Sequence, residues 1–434
     1  MSVCACDKPV TSMSLTDISP AEDRALLDKL QRQTINYMWE AAEPISGAAR
    51  ERLHMDDVYP VHGKDIVTSG GTGFGIMALI VGIERDFISR EEGIARLTKL
   101  TTWLENTDKF HGAWSHWMYP SGKAYPFSKY DDGGDLVETA FLAQGLVTAR
   151  QYLRHTGNKE EIALAQRMDA LWKGVDWQWY TQGENVLYWH WSPTHDFKMN
   201  FAVHGYNECL IMYVMAACSP THGIEPAVVH DGFMLSGAIK SDDTYYGLPT
   251  VVNHYENNQM HVGPLFWAHY SYLGLDPRNL TSDYGDFWKI NQNHALIHYR
   301  HCKENPYQYR GYSDECWGLT SSYSMSGYAG HNPQEDLGVI SPTAALSSFP
   351  YTPEESMRML RYLDRNPEKL WGKYGPYDAF SHESEWYIQK YLAIDQLPIP
   401  VMIENYRTGM LWDLFMSAPE IQEGLDKIGF TYAQ

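Results

Sequence analysis

The stretch Ser89-Arg-Glu-Glu-Gly-Ile-Ala-Arg-Leu-Thr-Lys-Leu-Thr-Thr-Trp-Leu104 carries the signals of an amphipathic helix in one continuous segment. A serine followed three residues later by glutamate is a capping box, and leucines follow it at helical spacing. Similar start signals recur along the chain, at Ser19-Pro-Ala-Glu22, Asn158-Lys-Glu-Glu161 and Thr352-Pro-Glu-Glu355. The sequence therefore predicts a mainly helical protein.

The remaining helical patterns lie between these start signals, at 70–84, 135–155, 203–217, 264–274, 282–301, 384–393 and 397–415. Strand-like alternation is short, at 185–190 and 250–254. Roughly a dozen ordinary helices without a solenoid period or a low-complexity linker favour two concentric rings of six. We therefore predict an all-α (α/α)6 toroid that forms a single domain over residues 19–434; a helical bundle with an appended domain is the alternative.

Composition favours a cleft for a neutral ligand. The chain has 15 Trp and 30 Tyr, and many of them neighbour His, Asn, Asp or Gly. Flat aromatic rings suit the C–H faces of sugars, although core packing is an equal alternative for any single Trp. The net charge of −20 disfavours nucleic acid as a partner, since phosphate binding needs a basic surface. No stretch approaches the length of a membrane helix.

The cysteines and the N-terminus bear on location. Residues 1–18 predict a flexible lead-in, and Val3-Cys-Ala-Cys6 resembles the end of a bacterial lipoprotein signal. This pattern predicts a periplasmic or secreted protein with a possible lipid anchor at Cys6; a cytoplasmic protein with stray cysteines is the alternative. Cys302 and Cys316 are candidates for a bridge in an oxidising compartment. No paired CxxC or HExxH motif is present, so no metal or cofactor is expected.

The segment Gly70-Gly-Thr-Gly-Phe-Gly75 resembles a phosphate loop but lacks the Lys-Ser/Thr that follows in one. It predicts close packing between helices instead.

The densest polar segment is Lys129-Tyr-Asp-Asp-Gly-Gly-Asp135-Leu-Val-Glu138. Asp135 and Glu138 are three residues apart and share one helix face, so both are candidate catalytic carboxylates that point into the cleft. Asp132 is a candidate helix cap or substrate ligand.

A second segment, Tyr188-Trp-His-Trp191, precedes Asn207-Glu208 at the start of an apolar helix. Burial raises the pKa of a carboxyl group, as a general acid near neutral pH requires. Glu208 is therefore the candidate acid, and an acid that meets the helix dipole is the structural alternative. The candidate substrate contacts of this segment are Trp189, His190, Trp191 and Asn207.

A third segment contains Asp395. Capping of the following helix and catalysis are equal alternatives for its role. Glu404 and Arg407 follow at the spacing of an ion pair, and Arg407 is also a candidate substrate ligand. The loops 107–127, 238–260 and 303–335 are expected to form subsite walls, with Trp114, Trp117 and Tyr328 as candidate sugar contacts.

Glycoside hydrolysis requires one protonated and one ionised carboxyl group. Carboxylates on different helices of a ring favour the wider separation, which leaves room for a water molecule and leads to inversion.

At these segments the chain resembles glycoside hydrolase family 144, the bacterial glucoamylase-like family. The matching stretches follow in order from about residue 30 to the end of the chain: Tyr130–Leu142, Gly205–Leu210, Gly263–Tyr270, Leu275–Arg278, Pro342–Ser356 and Ile403–Gly409.

The resemblance implies an (α/α)6 fold and an inverting, endo-acting hydrolysis of β-1,2-linked glucan, although some relatives release disaccharide from chain ends. It also implies a role in activity for Asp132, Asp135, Glu138 and Glu208. We expect Glu208 to act as general acid, with the base among Asp135, Glu138 and Asp395, and we expect a monomer.

The alternatives are an exo-acting hydrolase, a non-catalytic glycan-binding protein and a polysaccharide lyase. The carboxylates argue against mere binding, and the net charge argues against a lyase of acidic sugars.

Overall fold

The computed structural model describes residues 20–59, 63–254 and 262–432. Its helices are α1 (Ala21–Trp39), α2 (Ser69–Glu84), α3 (Arg90–Glu105), α4 (Leu136–Leu153), α5 (Lys159–Lys173), α6 (Leu210–Cys218), α7 (Phe287–Glu304), α8 (Pro342–Leu346), α9 (Pro353–Asp364), α10 (Pro367–Leu370), α11 (Ala393–Gln396), α12 (Pro398–Arg407), α13 (Met410–Met416) and α14 (Pro419–Lys427).

The strands are short and pair in twos and threes. They are β1 (Arg52–His54), β2 (Val67–Thr68), β3 (Trp117–Met118), β4 (Ala124–Tyr125), β5 (Gly134–Asp135), β6 (His190–Trp191), β7 (Lys240–Tyr245), β8 (Leu248–Val252), β9 (Leu280–Ser282), β10 (Gly285–Asp286), β11 (Ser322–Ser324), β12 (Gly327–Ala329), β13 (Trp371–Gly372), β14 (Gly375–Pro376), β15 (Phe380–Ser381), β16 (Trp386–Tyr387), β17 (Lys390–Leu392) and β18 (Thr431–Tyr432).

Burial divides the helices into two layers. Every residue of α2 from Ser69 to Ile83 is buried, and α4 and α6 are buried in the same way. Helices that are apolar on all sides belong in an interior. By contrast, α9 buries only one stripe, which includes Met359, Leu360 and Leu363, and therefore lies outside.

The inner helices close into a ring. Helix α2 packs on α4, α4 on α6, and α6 on the 3₁₀ turn Tyr270–Tyr272, while α8 packs on α12 and α12 on α2. A hydrogen bond of 2.9 Å between His269 Nε2 and Ser348 Oγ joins the turn to the end of α8. The helices α1, α3, α5, α7, α9 and α14 pack around this ring. The predicted (α/α)6 toroid is confirmed.

The glycine motif allows α2 and α4 to approach closely. A Cβ on Gly73 would lie 2.3 Å from the carbonyl oxygen of Phe141, and one on Gly145 would lie 2.3 Å from that of Gly73. The prediction of close helix packing is confirmed.

The starts of the inner helices gather at one end of the toroid. Strand β2 leads into α2, β5 into α4 and β17 into α11. Each of these strands pairs with a loop segment, with Thr68 opposite Trp117, Asp135 opposite His190, and Arg52 opposite Leu392. These pairs fix the loops over the helix starts.

Four predicted helices differ from the structure. The one at 397–415 is divided into α12 and α13 at Gly409, which takes a left-handed φ of 76°. The one expected at 203–217 begins only at Leu210, because Gly205 takes a left-handed φ of 72°. The one at 264–274 forms two 3₁₀ turns, Leu265–Ala268 and Tyr270–Tyr272. The one at 384–393 is wrong: β16 and β17 lie there and pair with β15 and β1.

The predicted caps are partly confirmed. Ser89 and Asn158 accept hydrogen bonds from the first turns of α3 and α5. The side chain of Thr352 does not cap α9, and its hydroxyl donates to the carbonyl of Ser348. Asp135, rather than Asp132, caps α4.

The bridge expected between Cys302 and Cys316 is wrong, since both are buried free thiols. The lead-in at 1–18, with Cys4 and Cys6, lies outside the described residues. None of the helices at 20–59, 63–254 and 262–432 is long and apolar enough to cross a membrane.

Candidate active site

A cavity of about 380 Å³ opens at the end of the toroid where the inner helices begin. Its walls combine three carboxylates with a dense set of aromatic rings. The lining residues are Glu51, Arg52, Thr68, His116, Trp117, Phe127, Val137, Glu138, Phe141, Trp189, Glu208, Phe266, Tyr270, Ser321, Tyr323, Tyr328, Leu392 and Ile394.

Glu208 faces this cavity from the turn that precedes α6. Burial raises the pKa of its carboxyl group to about 7, and the charges of Glu138 and Asp135 act in the same direction. Its backbone carbonyl accepts a hydrogen bond of 2.5 Å from Ser271, which fixes the turn to the neighbouring inner segment. A carboxyl group of this kind is protonated in part at neutral pH and is able to donate a proton.

Glu138 lines the cavity from the first turn of α4. Its Oε2 accepts hydrogen bonds from the backbone N–H of Gly70 at 2.8 Å and the hydroxyl of Thr68 at 3.2 Å. A Cβ on Gly70 would lie 2.4 Å from that oxygen, so only glycine lets the carboxylate sit there. Burial raises the pKa of Glu138, and the charge of His116 opposes that rise.

Asp135 is fully buried and lies behind the cavity wall. Its Oδ2 accepts from His116 Nδ1 at 2.8 Å and from Trp189 Nε1 at 3.0 Å, and its Oδ1 accepts from the backbone N–H of Glu138 at 2.9 Å. Although burial raises the pKa of Asp135, His116, the charge of His190 and the backbone N–H of Glu138 outweigh burial and lower the pKa. Asp135 thus orients three residues that line the cavity.

His116 is the cationic partner in this cluster. Burial disfavours its charge, but Glu138, Asp135 and Asp131 outweigh burial and raise its pKa to about 9. At neutral pH the imidazolium therefore balances part of the negative charge in the site.

Asp131 and His190 extend the cluster beneath the rim. His190 Nε2 lies 3.3 Å from Asp131 Oδ2, and burial with the charge of Asp135 raises the pKa of Asp131 to about 7. Among the described residues, Asp131, His116 and Asp135 also place ligand atoms within 4.8 Å of one another. Because Asp135 Oδ2 already accepts two N–H groups, we interpret the trio as an ion-pair cluster.

Asp395 is buried one layer below the cavity. Its Oδ1 accepts a hydrogen bond of 3.1 Å from the hydroxyl of Tyr270, a residue that lines the cavity. Burial and the neighbouring Asp378 carboxyl raise its pKa well above the usual range. Asp395 contacts the cavity wall through Tyr270, and it does not cap α12.

The aromatic walls include three of the predicted sugar contacts, Trp117, Trp189 and Tyr328. Trp117 and Trp189 are held by the strand pairs at the rim and by Asp135, and Tyr328 lies opposite Tyr323 on the β11–β12 hairpin.

Several predicted substrate contacts lie elsewhere. Trp114 is fully buried and its indole donates to Thr107 at 2.9 Å, so it is a core residue. The Asn207 side chain forms hydrogen bonds within its own turn: its Oδ1 accepts from the N–H of Cys209, and its Nδ2 donates to the carbonyl of His204. Asp132 accepts from Ser192 and Thr194.

His190 and Trp191 lie on β6, half-buried beside the cavity lining. Trp191 packs edge-on against His111 with ring centroids 4.7 Å apart.

Arg407 lies at the opposite end of the toroid from the cavity. It pairs with Asp28 at 2.5 Å, and the expected ion pair with Glu404 is wrong because Glu404 pairs with Arg85 at 2.7 Å. Arg85 follows the end of α2, roughly 24 Å from the helix start that faces the cavity. Arg407 therefore has no contact with the site.

Sequence reasoning missed several residues of the site: Glu51, Arg52, His116, Tyr270, Tyr323 and Asp378. They come from separate segments and form no local motif. Arg52 pairs with Glu51 and lies 5.6 Å over the ring of Trp117, which places a charged pair on the wall.

Comparison with known proteins agrees with this geometry. Residues 200–419 match the family model Glycoamylase, described as "Putative glucoamylase". The structure of an endo-β-1,2-glucanase from Chitinophaga pinensis in complex with sophorotriose and glucose is 55% identical, with a TM-score of 0.91, covering 94% of this chain and 98% of that one.

Parabacteroides distasonis provides two further matches. An exo-β-1,2-glucooligosaccharide sophorohydrolase acting at the non-reducing end is 43% identical over 94% of this chain. The chain spans about 58% of the length of that curated relative. A β-1,2-glucanase structure from the same organism is 43% identical with a TM-score of 0.87, covering 94% of this chain and 60% of that one.

The Chitinophaga protein shares 55% of its residues with this chain over 94% of this chain and 98% of its own length. The chain therefore belongs to the glucoamylase-like proteins of glycoside hydrolase family 144.

Proposed function

We propose that this protein hydrolyses β-1,2-linked glucan. The observation that carries the proposal is the pair Glu138 and Glu208 in one aromatic-walled cavity, with a pKa of about 7 at Glu208. The substrates named for the Chitinophaga and Parabacteroides relatives support the linkage.

Glu208 is proposed as the general acid that protonates the leaving glycosidic oxygen. It combines access to the cavity with a raised pKa, and a proton donor needs both.

The base is proposed to be Glu138, and Asp395 is the second candidate because its raised pKa favours the protonated form, which cannot accept a proton. Glu138 contacts the cavity directly and Asp395 through the hydroxyl of Tyr270, whereas Asp135 is occupied by His116 and Trp189. A base that activates water opposite the acid gives inversion of the anomeric centre.

The variants Glu138→Gln and Asp395→Asn separate the two candidates for the base. Loss of the base lowers turnover by about 10²- to 10⁴-fold with any leaving group. Loss of the acid, as in Glu208→Gln, affects an aryl β-glucoside little, because its phenolate leaves without protonation. The variant that remains inactive on the aryl substrate identifies the base, and activity of both variants on it would contradict this assignment.

Endo action is proposed first, because the relative with 55% identity is an endo-β-1,2-glucanase. Exo action is the second candidate, because the sophorohydrolase is 43% identical over nearly the same span. We further propose a single domain over 19–434 and a monomer that works in the periplasm or outside the cell.

Time-resolved digestion of linear β-1,2-glucan tests the proposal, with Glu208→Gln as the inactive control. Early oligosaccharides of intermediate length support endo action, and disaccharide alone from the start supports exo action. Proton NMR of the first product gives the anomer, and retention would contradict the inverting mechanism. No cleavage of β-1,2-glucan by the wild type would refute the proposed function.

A further inference from the structure

An exposed tryptophan lies on the rim, outside the cavity. Trp179 is 42% exposed on the 3₁₀ turn Trp179–Thr181, which follows α5. It forms one wall of an open groove of about 540 Å³, and Phe197 forms another. The remaining lining residues are polar or small: Asp176, Gln178, Thr181, Gln182, Gly183 and His222.

The ring of Trp179 is held in place without a ligand. His111 stacks on it with ring centroids 3.8 Å apart and an interplanar angle of 11°. The ring of Trp191 packs edge-on against Trp179 with centroids 6.2 Å apart. The backbone N–H of Trp179 donates to the carboxylate of Asp176 at 3.1 Å. A preorganised aromatic surface binds without a cost for ordering.

The chemistry of the groove fits a neutral polyhydroxy ligand. Two rings at an interplanar angle of 32°, Trp179 and Phe197, provide apolar faces. The side chains of Gln178, Gln182 and Asp176 provide hydrogen-bond partners at its edge. A net charge of −20 disfavours an anionic ligand.

The groove lies at the catalytic end of the toroid. Trp191, which contacts Trp179, pairs with Gly134 on β5, directly before Asp135. The strand pair β5–β6 therefore connects the groove to the segments that carry Glu138 and Trp189 into the cavity wall.

We propose that the Trp179 groove is a second, non-catalytic binding site for a neutral β-glucan chain, used by polymers and not by short oligosaccharides. The glucan as ligand rests on the proposed function.

The test compares wild type with Trp179→Ala, and with Ile45→Ala as a control at another exposed apolar residue, 69% exposed. Values of kcat/KM are measured on long linear β-1,2-glucan and on the trisaccharide sophorotriose. We expect Trp179→Ala to lower kcat/KM on the polymer by roughly 3- to 10-fold and to leave kcat/KM on the trisaccharide unchanged. Trp179→Phe should retain most of the activity, and Ile45→Ala should match wild type.

Migration in gels that contain β-1,2-glucan gives a readout independent of catalysis, in the Glu208→Gln background. The groove predicts retardation that Trp179→Ala weakens. If the wild type cleaves neither substrate but is retarded through Trp179, the proposed function fails and the binding site stands. Equal retardation of both proteins, no retardation of either, or equal losses on polymer and trisaccharide would overturn the inference.

Discussion

His116 Nδ1 lies 2.8 Å from Asp135 Oδ2, and the same oxygen accepts the indole N–H of Trp189 at 3.0 Å. One buried carboxylate thus orients a cationic side chain and an aromatic wall of the cavity. Asp135 also caps α4 through the N–H of Glu138. The helix start and the site depend on the same side chain.

Asp135→Asn should lower both activity and stability, because its buried Nδ2 cannot accept the indole N–H of Trp189 as Asp135 Oδ2 does. Asparagine still caps the helix, but it does not hold a charged His116, so the pKa of His116 should fall. We expect a loss of about 10²-fold in kcat/KM, as for a misplaced catalytic group. Kinetics, thermal unfolding and NMR titration of His116 check this, and an unchanged His116 pKa would contradict it.

Glu208→Gln should lower turnover by about 10²- to 10⁴-fold. Because the wild-type acid must be protonated, activity should fall as the pH rises through about 7, the pKa of Glu208. The residual activity of the variant should lack this alkaline limb. A pH–rate profile of kcat/KM for both proteins is the measurement, and an identical limb in the variant would assign it to another group.

Arg85→Ala should destabilise the protein without affecting catalysis. Its guanidinium bonds to both oxygens of buried Glu404, at 2.7 and 2.9 Å, at the end opposite the cavity. Removal of one partner of a buried pair costs about 3 kcal/mol. The exposed pair Lys29–Asp364 is the control, and Lys29→Ala should cost less than about 1 kcal/mol. Urea unfolding measures both variants, and similar losses for the two would contradict the prediction.

Buried histidines should make the fold sensitive to acid. Burial lowers the pKa of His294 to about 4 and that of His269 to about 3, so both are neutral in the folded state. The unfolded chain binds these protons below a pKa of about 6.5. The contribution of these two histidines to the free energy of unfolding is therefore fully present above pH 6.5. It is lost as the pH falls towards their pKa values in the folded state.

The variant His294→Gln isolates one contribution. We expect the difference in unfolding free energy between pH 7 and pH 5 to shrink by about 2 kcal/mol relative to wild type. His155→Gln, at an exposed position, is the control and should leave the difference unchanged. An equal pH dependence in His294→Gln and wild type would show that other groups dominate.

The sequence by itself determined the features that depend on neighbours along the chain. The capping signals at Ser89 and Asn158, the buried pattern of α2, and the spacing of Asp135 and Glu138 are local, so periodicity and side-chain chemistry were sufficient to predict them. Glu208 could be predicted because a lone carboxylate before an apolar helix is costly unless it faces a cavity.

Only the tertiary structure decided which distant residues meet. The contact of Tyr270 with Asp395 spans 125 positions, and the pairing of Arg52 with Leu392 joins residues 340 positions apart. Closure of the ring creates both contacts, and no local pattern encodes it. The sequence could not distinguish Trp114 and Arg407 from the residues that line the cavity. Packing of distant segments buries Trp114 in the core and places Arg407 at the end of the toroid opposite the cavity.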